Sequence, residues 1–120
     1  MVTALVVEDS LTDRTLLTKY LEQFGIRVTT ADSSEEAAAL LENALPDLVF
    51  LDVVLPGQSG FELCRELKTS ETTKNIPIVI CSSKGTEADK LWGAMLGADL
   101  YLAKPISQQQ IAQTVKQFVL

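Results

Sequence analysis

The chain has 120 residues, 47% of them hydrophobic, which is enough for one domain around one core and too little for two. Ten Lys and Arg against sixteen Asp and Glu leave a formal charge of −6, the wrong sign for a protein that lives on the phosphate backbone of nucleic acid, so no direct nucleic-acid partner is expected. There is no histidine, which rules out Ser-His or Cys-His nucleophiles, His-built zinc sites and a phosphohistidine on this chain and leaves any chemistry to carboxylates, hydroxyls and lysines.

The first apolar run, residues 4–7, reads as a strand and ends in Glu8-Asp9. No basic segment precedes it, and nowhere do about 18 apolar residues run together, so neither a signal peptide nor a membrane span is expected and the cytoplasm is the expected location. Leu16, Leu17, Tyr20, Leu21 and Phe24 then recur at helical spacing, and Gly25, a residue that tolerates the left-handed turn after a helix, marks the expected stop. Residues 27–31 form a second strand that mixes in Arg and Thr, and Ser33 with Glu36 spells a capping box for a second helix. The third strand, 48–51, is continuous in Leu, Val and Phe, and Asp52 ends it. Val53-Val54-Leu55-Pro56-Gly57 follows, and Ser59 with Glu62 marks the third helix start.

The fourth strand, 78–81, is again purely apolar and leads into Ser82. Ala88, Leu91, Trp92, Met95 and Leu96 read as an amphipathic fourth helix whose Trp serves packing rather than a cofactor. Residues 100–102 make a fifth, mixed strand followed by Lys104-Pro105, and Ser107 with Gln110 caps a last helix striped by Ile111, Val115, Phe118 and Val119. All four prolines fall just before or after strands, where a missing N–H does no harm to the ladder. Cys64 and Cys81 stand in apolar surroundings without C-x-x-C spacing and are expected to be buried hydrophobes without a redox role.

Five βα units with right-handed crossovers predict an α/β domain, a doubly wound three-layer sandwich on a parallel sheet, with the mixed second and fifth strands at its edges. In such folds the crevice lies outside the carboxyl ends of the strands. Glu8, Asp9 and Asp52, the Ser82 hydroxyl and the Lys104 ammonium all follow strands, so if strands one, three, four and five are neighbours they converge there. Three carboxylates that close repel one another, which a hard divalent cation resolves. Mg2+ favours oxygen ligands, takes one or two carboxylates and shares its other sites with water and phosphate, so Asp9 and Asp52 are the expected ligands with Glu8 acting through water. Lys104 supplies the second positive charge that a phosphoryl group in transfer requires, and Ser82 a hydrogen bond to one of its oxygens. Asp52, at the end of the apolar third strand and before a stiff-then-flexible loop, is the expected nucleophile.

Val7-Glu8-Asp9-Ser10, the segment 51–60, the run 77–84 and the segment 97–105 together resemble the receiver domain of two-component response regulators, CheY-like proteins above all, over essentially the whole chain. The resemblance implies a flavodoxin-like (βα)5 fold with strand order 2-1-3-4-5, in a single receiver domain over residues 1–120 without an effector domain. It implies phosphorylation of Asp52 by a sensor histidine kinase, with Mg2+, or Mn2+ in its place, on Asp9, Asp52 and the backbone carbonyl of Val54. Ser82 and Tyr101 become switch residues, the Lys104-Pro105 peptide is cis, and phosphorylation remodels helix four, strand five and helix five for a downstream protein target. Such a chain is a signalling protein that catalyses only its own phosphorylation and dephosphorylation, as a monomer or a weak phosphorylation-dependent dimer. Glu8 where many members have Asp, Ser82 for the more frequent Thr, Ser83 for Ala or Gly, and an apolar Val54 depart from the common pattern. Residues 83–93 look like regulators of type IV pilus motility and phototaxis. The alternatives are a metal-dependent phosphatase with an aspartyl nucleophile, which usually carries a D-x-D after strand one where this chain has Glu8-Asp9-Ser10, and a flavodoxin-type electron carrier, whose flavin phosphate the same acidic pair would repel.

Overall fold

The computed structural model describes residues 1–120, which alternate strand and helix throughout: β1 (Thr3–Val7), α1 (Leu11–Glu22), β2 (Arg27–Ala31), α2 (Ser34–Asn43), β3 (Leu48–Leu51), α3 (Gly60–Thr69), β4 (Ile78–Ser82), α4 (Glu87–Met95), β5 (Leu100–Ala103) and α5 (Gln108–Phe118). The strands form one parallel sheet in the order β2-β1-β3-β4-β5, so the two compositionally mixed strands do lie at the edges. Strand side chains alternate between two cores. Leu5, Val7, Val49, Leu51, Ile78 and Ile80 pack with Ala37, Leu41, Leu63 and Leu67 of α2 and α3. Ala4, Val6, Leu48, Phe50, Val79 and Cys81 pack with Leu17 and Leu21 of α1 and Ile111 and Val115 of α5. Each such aliphatic side chain removed from water contributes about 1.5–3 kcal/mol, which is why the central strands carry polar residues only at their ends, Thr3 in β1 and Ser82 in β4.

The register aligns the strand ends. Val7 stands opposite Leu51, Leu51 opposite Ile80, and Ser82 opposite Ala103. The ladder continues one step beyond: Asp52 N–H donates to Val7 O at 3.0 Å, Lys104 N–H to Ser82 O at 2.9 Å and Glu8 N–H to Ala31 O at 2.9 Å. The residues that follow the strands are therefore held by sheet hydrogen bonds even though they lie outside the strands.

Helix boundaries correct several expectations. The first helix ends at Glu22, and Phe24 lies past it, one residue before Gly25, whose φ of 75° makes the turn. Ser33, Ser59 and Ser107 all cap helices, but the reciprocal box closes only at Ser107 with Gln110. Glu36 instead accepts from the Asp32 N–H, and Ser59 accepts from Phe61 rather than Glu62. A full box does form at Thr86 with Asp89, a T-x-x-D spelling that serves as well as Glu or Gln because Asp89 reaches the Thr86 N–H at 3.1 Å. The largest departure is α4. Most of its stripe does not pack: Leu91, Trp92 and Met95 are exposed, only Leu96 reaches the core, and the helix rests on the sheet through Gly93, whose missing side chain admits Tyr101 and Ile80.

Cys64 and Cys81 are both free and buried. Burial, offset in part by Lys68 and reinforced by Asp99, lifts the Cys64 thiol to about 11, and burial lifts Cys81 likewise. Because only the thiolate reacts, neither cysteine should react with an aromatic disulfide reagent at pH 8 in the folded protein, whereas both should do so in guanidinium; rapid labelling of the native chain would contradict this packing.

Candidate functional site

Of the expected cluster, Glu8 and Asp52 gather on Lys104, joined by Asp13. The Lys104 Nζ pairs with Glu8 Oε1, with Asp52 Oδ2 at 2.9 Å and with Asp13 Oδ2 at 2.9 Å, joining residues 96, 52 and 91 positions away in the chain. Glu8 and Asp52 are buried, at 4% and 6% exposure, so these are not surface ion pairs of the weak, screened kind. Glu8 Oε2 also accepts from the Ser10 N–H at 3.0 Å, and Asp52 Oδ1 accepts from the Val54 N–H at 3.0 Å, which fixes both carboxylates from behind.

Electrostatics follow from this crowding. Burial pushes the Glu8 carboxyl above its ordinary value; the Lys104 and Ser10 hydrogen bonds pull it back in part, and the Asp52 charge adds to the rise. Burial also works against the Lys104 ammonium, but Glu8, Asp13 and Asp52 outweigh it and hold the amine above the ordinary lysine value. One ammonium facing three carboxylates leaves two negative charges unmatched when all are ionised (1 − 3 = −2).

The remaining expected residues are placed as follows. Asp9 stands exposed beside Glu8, and Val54 is half exposed in the loop after Asp52. No three His, Cys, Asp or Glu side chains gather into a metal cage. The donor set nonetheless fits a hard divalent cation, since such an ion needs only one or two carboxylates with carbonyl and water oxygens, and the unmatched negative charge favours it. Ser82 is fully buried, and its Oγ accepts from the Lys84 N–H at 3.2 Å, which leaves its own proton to donate. Tyr101 is half-buried, and its hydroxyl donates to the Lys84 carbonyl, so Lys84 lies between the two switch candidates. The Lys104-Pro105 peptide is cis, as expected.

Three contributors escaped the reading of the sequence. Asp13 is the third partner of Lys104, and its only signal is an acidic residue in the first turn of α1. Ser34 Oγ donates to Gln58 O at 3.0 Å while Gln58 N–H donates to Glu35 Oε2 at 3.2 Å, so α2 clasps the loop that follows the phosphoacceptor candidate. Asp99 Oδ2 accepts from Ile78 N–H at 2.8 Å and from Lys68 Nζ at 3.0 Å, tying the entry of β5 to β4.

A family model described as the response regulator receiver domain matches residues 4–116. The chain belongs to the response regulator receiver family. It is 37% identical to Protein PilH of Pseudomonas aeruginosa over 96% of this chain and 95% of that one. The structure superposes on a putative response regulator from Chloroflexus aurantiacus with a TM-score of 0.92, at 36% identity, covering 97% of this chain and 95% of that one. The Mn2+-bound form of response regulator Rcp1 matches with a TM-score of 0.85 at 25% identity, covering 98% and 94%. Against the phosphate regulon regulators PhoB the chain spans about half of their length. The five-stranded 2-1-3-4-5 architecture is thus that of the family, and the chain is a receiver of a two-component system, a signalling domain switched by phosphorylation. Family membership, with Asp52 after β3, favours the switch over a phosphatase or a flavin carrier.

Proposed function

We propose that Asp52 is the phosphoacceptor of this receiver and that a sensor histidine kinase is its donor. The observation that carries the reading is the direct pairing of Lys104 with Asp52 and Glu8, which unites three strand ends in one charged crevice. An Asp52 carboxylate oxygen forms the new P–O bond as the bond from phosphorus to the donor nitrogen breaks, and the imidazole leaves with the electron pair. Asp9, Asp52 and the Val54 carbonyl would hold Mg2+ or Mn2+, with Glu8 acting through water; a bound cation would supply charge neutralisation for the phosphoryl oxygens. That Rcp1 is known in a Mn2+-bound form supports this donor set.

Lys104 exchanges a carboxylate for a phosphoryl oxygen, and the Ser82 proton is free to reach another. If Ser82 turns, it releases the Lys84 N–H, and the carbonyl of that same residue holds Tyr101. The switch is therefore a shift in population of the loop after β4, transmitted to α4, β5 and α5 as a surface for a downstream protein. The likeness to PilH over both full lengths, together with the segment 83–93, supports a role in pilus-linked motility, and a cytoplasmic location follows from that role.

Acetyl phosphate with Mg2+ should add one phosphoryl mass to the protein, and excess EDTA should abolish the addition. An unchanged mass with Mg2+ present would sink the proposal.

A further inference from the structure

Lys104 has three N–H bonds, and each meets a different carboxylate. Glu8 and Asp52 belong to the phosphoryl site proposed above. Asp13 does not: it lies in the first turn of α1, its own N–H donates to Ser10 Oγ at 3.3 Å, and its side chain is 43% exposed. The helix therefore fixes Asp13 independently of the strand ends. When Asp52 and Glu8 turn their oxygens toward a cation or a phosphoryl group, Asp13 is the one carboxylate left to hold the ammonium. There is also room for it to do so, because a cavity of about 70 Å3 lies on this side, lined by Asp13, Lys104, Leu16, Tyr20, Pro105 and Ile106 among others.

We propose that Asp13 is a positioning residue for Lys104, holding its ammonium on the α1 side of the crevice so that it competes less for Asp52, which would bind the divalent cation directly, and for Glu8, which would reach it through water. This rests on the metal-dependent switch reading. A lysine without that third partner would be drawn wholly onto Asp52 and Glu8, and the cation would have to displace it from both.

The test is Mg2+ affinity by titration calorimetry in the parent, Asp13→Asn, Lys104→Met and the double variant. Asp13→Asn should weaken Mg2+ binding roughly fivefold, the range that a part-exposed ion pair sustains. In the Lys104→Met background the same substitution should change nothing, because no ammonium remains to compete. Equal weakening in both backgrounds would show a bulk charge effect and overturn the inference, as would an unchanged affinity in Asp13→Asn. If the parent bound no Mg2+, the switch reading would fall and this inference with it. A second measurement needs no Lys104 variant: at saturating Mg2+ the Lys104 ammonium resonance should stay protected from solvent exchange in the parent and be lost in Asp13→Asn, and equal protection in both would overturn the role of Asp13.

Discussion

Asp52→Asn will take up no phosphoryl group under conditions in which the parent gains one, a loss of at least about a hundredfold in rate, because an amide lacks the anionic oxygen that attacks phosphorus. The substitution is nearly isosteric, and an amide oxygen can still accept from the Val54 N–H, so the loop after β3 keeps its anchor. It also removes one of three negative charges around a single ammonium, which relieves the desolvated Glu8 and predicts no loss of fold. Far-ultraviolet dichroism should be unchanged while mass spectrometry shows no adduct. Persistent labelling of the variant would move the nucleophile to another carboxylate, such as Asp13 on Lys104 or the exposed Asp9 beside Glu8.

Gly60→Ala should destabilise the domain by about 3 kcal/mol or more and abolish phosphoryl uptake with it. A methyl group there would stand 2.0 Å from the carbonyl oxygen of Asp52 and 2.7 Å from the Cα of Val53. Those atoms are backbone and cannot swing aside, so either α3 retreats from its core contacts through Leu63 and Leu67 or the chain at the phosphoacceptor moves. The Gly60 N–H also donates to Val53 O at 3.0 Å, a bond that fixes the same approach. Gly25→Ala is the internal comparison: its φ is 75° but nothing lies within 4 Å, so it should cost only the left-handed penalty of about 1–2 kcal/mol and leave phosphorylation intact. Denaturant titration of the two variants reads the difference, and a Gly60→Ala protein as stable as Gly25→Ala would contradict the close packing of α3 on the site.

Much of this was legible in the residues themselves. Hydrophobic runs of strand length, separated by helical periodicity and punctuated by Gly and Pro, determined the βα alternation, because burying both faces of a parallel sheet demands uninterrupted apolar strands and leaves polar groups only at strand ends. The same constraint singled out Glu8, Asp52, Ser82 and Lys104, since polar residues at or just past the carboxyl ends of strands stand out against their surroundings. The mixed composition of residues 27–31 and 100–102 placed β2 and β5 at the edges without any coordinates.

What only the tertiary structure decided concerns surfaces and partners. The apolar spacing of Leu91, Trp92 and Met95 is the spacing of a core stripe, yet these side chains are exposed, because α4 packs through Gly93 and nothing in a helix's own periodicity reports which of its faces the fold covers. Asp13 looks like an ordinary acidic residue near a helix start, a place where the helix dipole alone would favour it. Its pairing with Lys104 spans 91 positions, and only the strand order, which brings the chain after β5 back across β3 and β4 toward β1, and the placement of α1 and α5 on one face of the sheet bring the two together. Local chemistry determined which residues would end the strands; the distances between them, and so the number of carboxylates that one ammonium must hold, depended on how the strands were assembled.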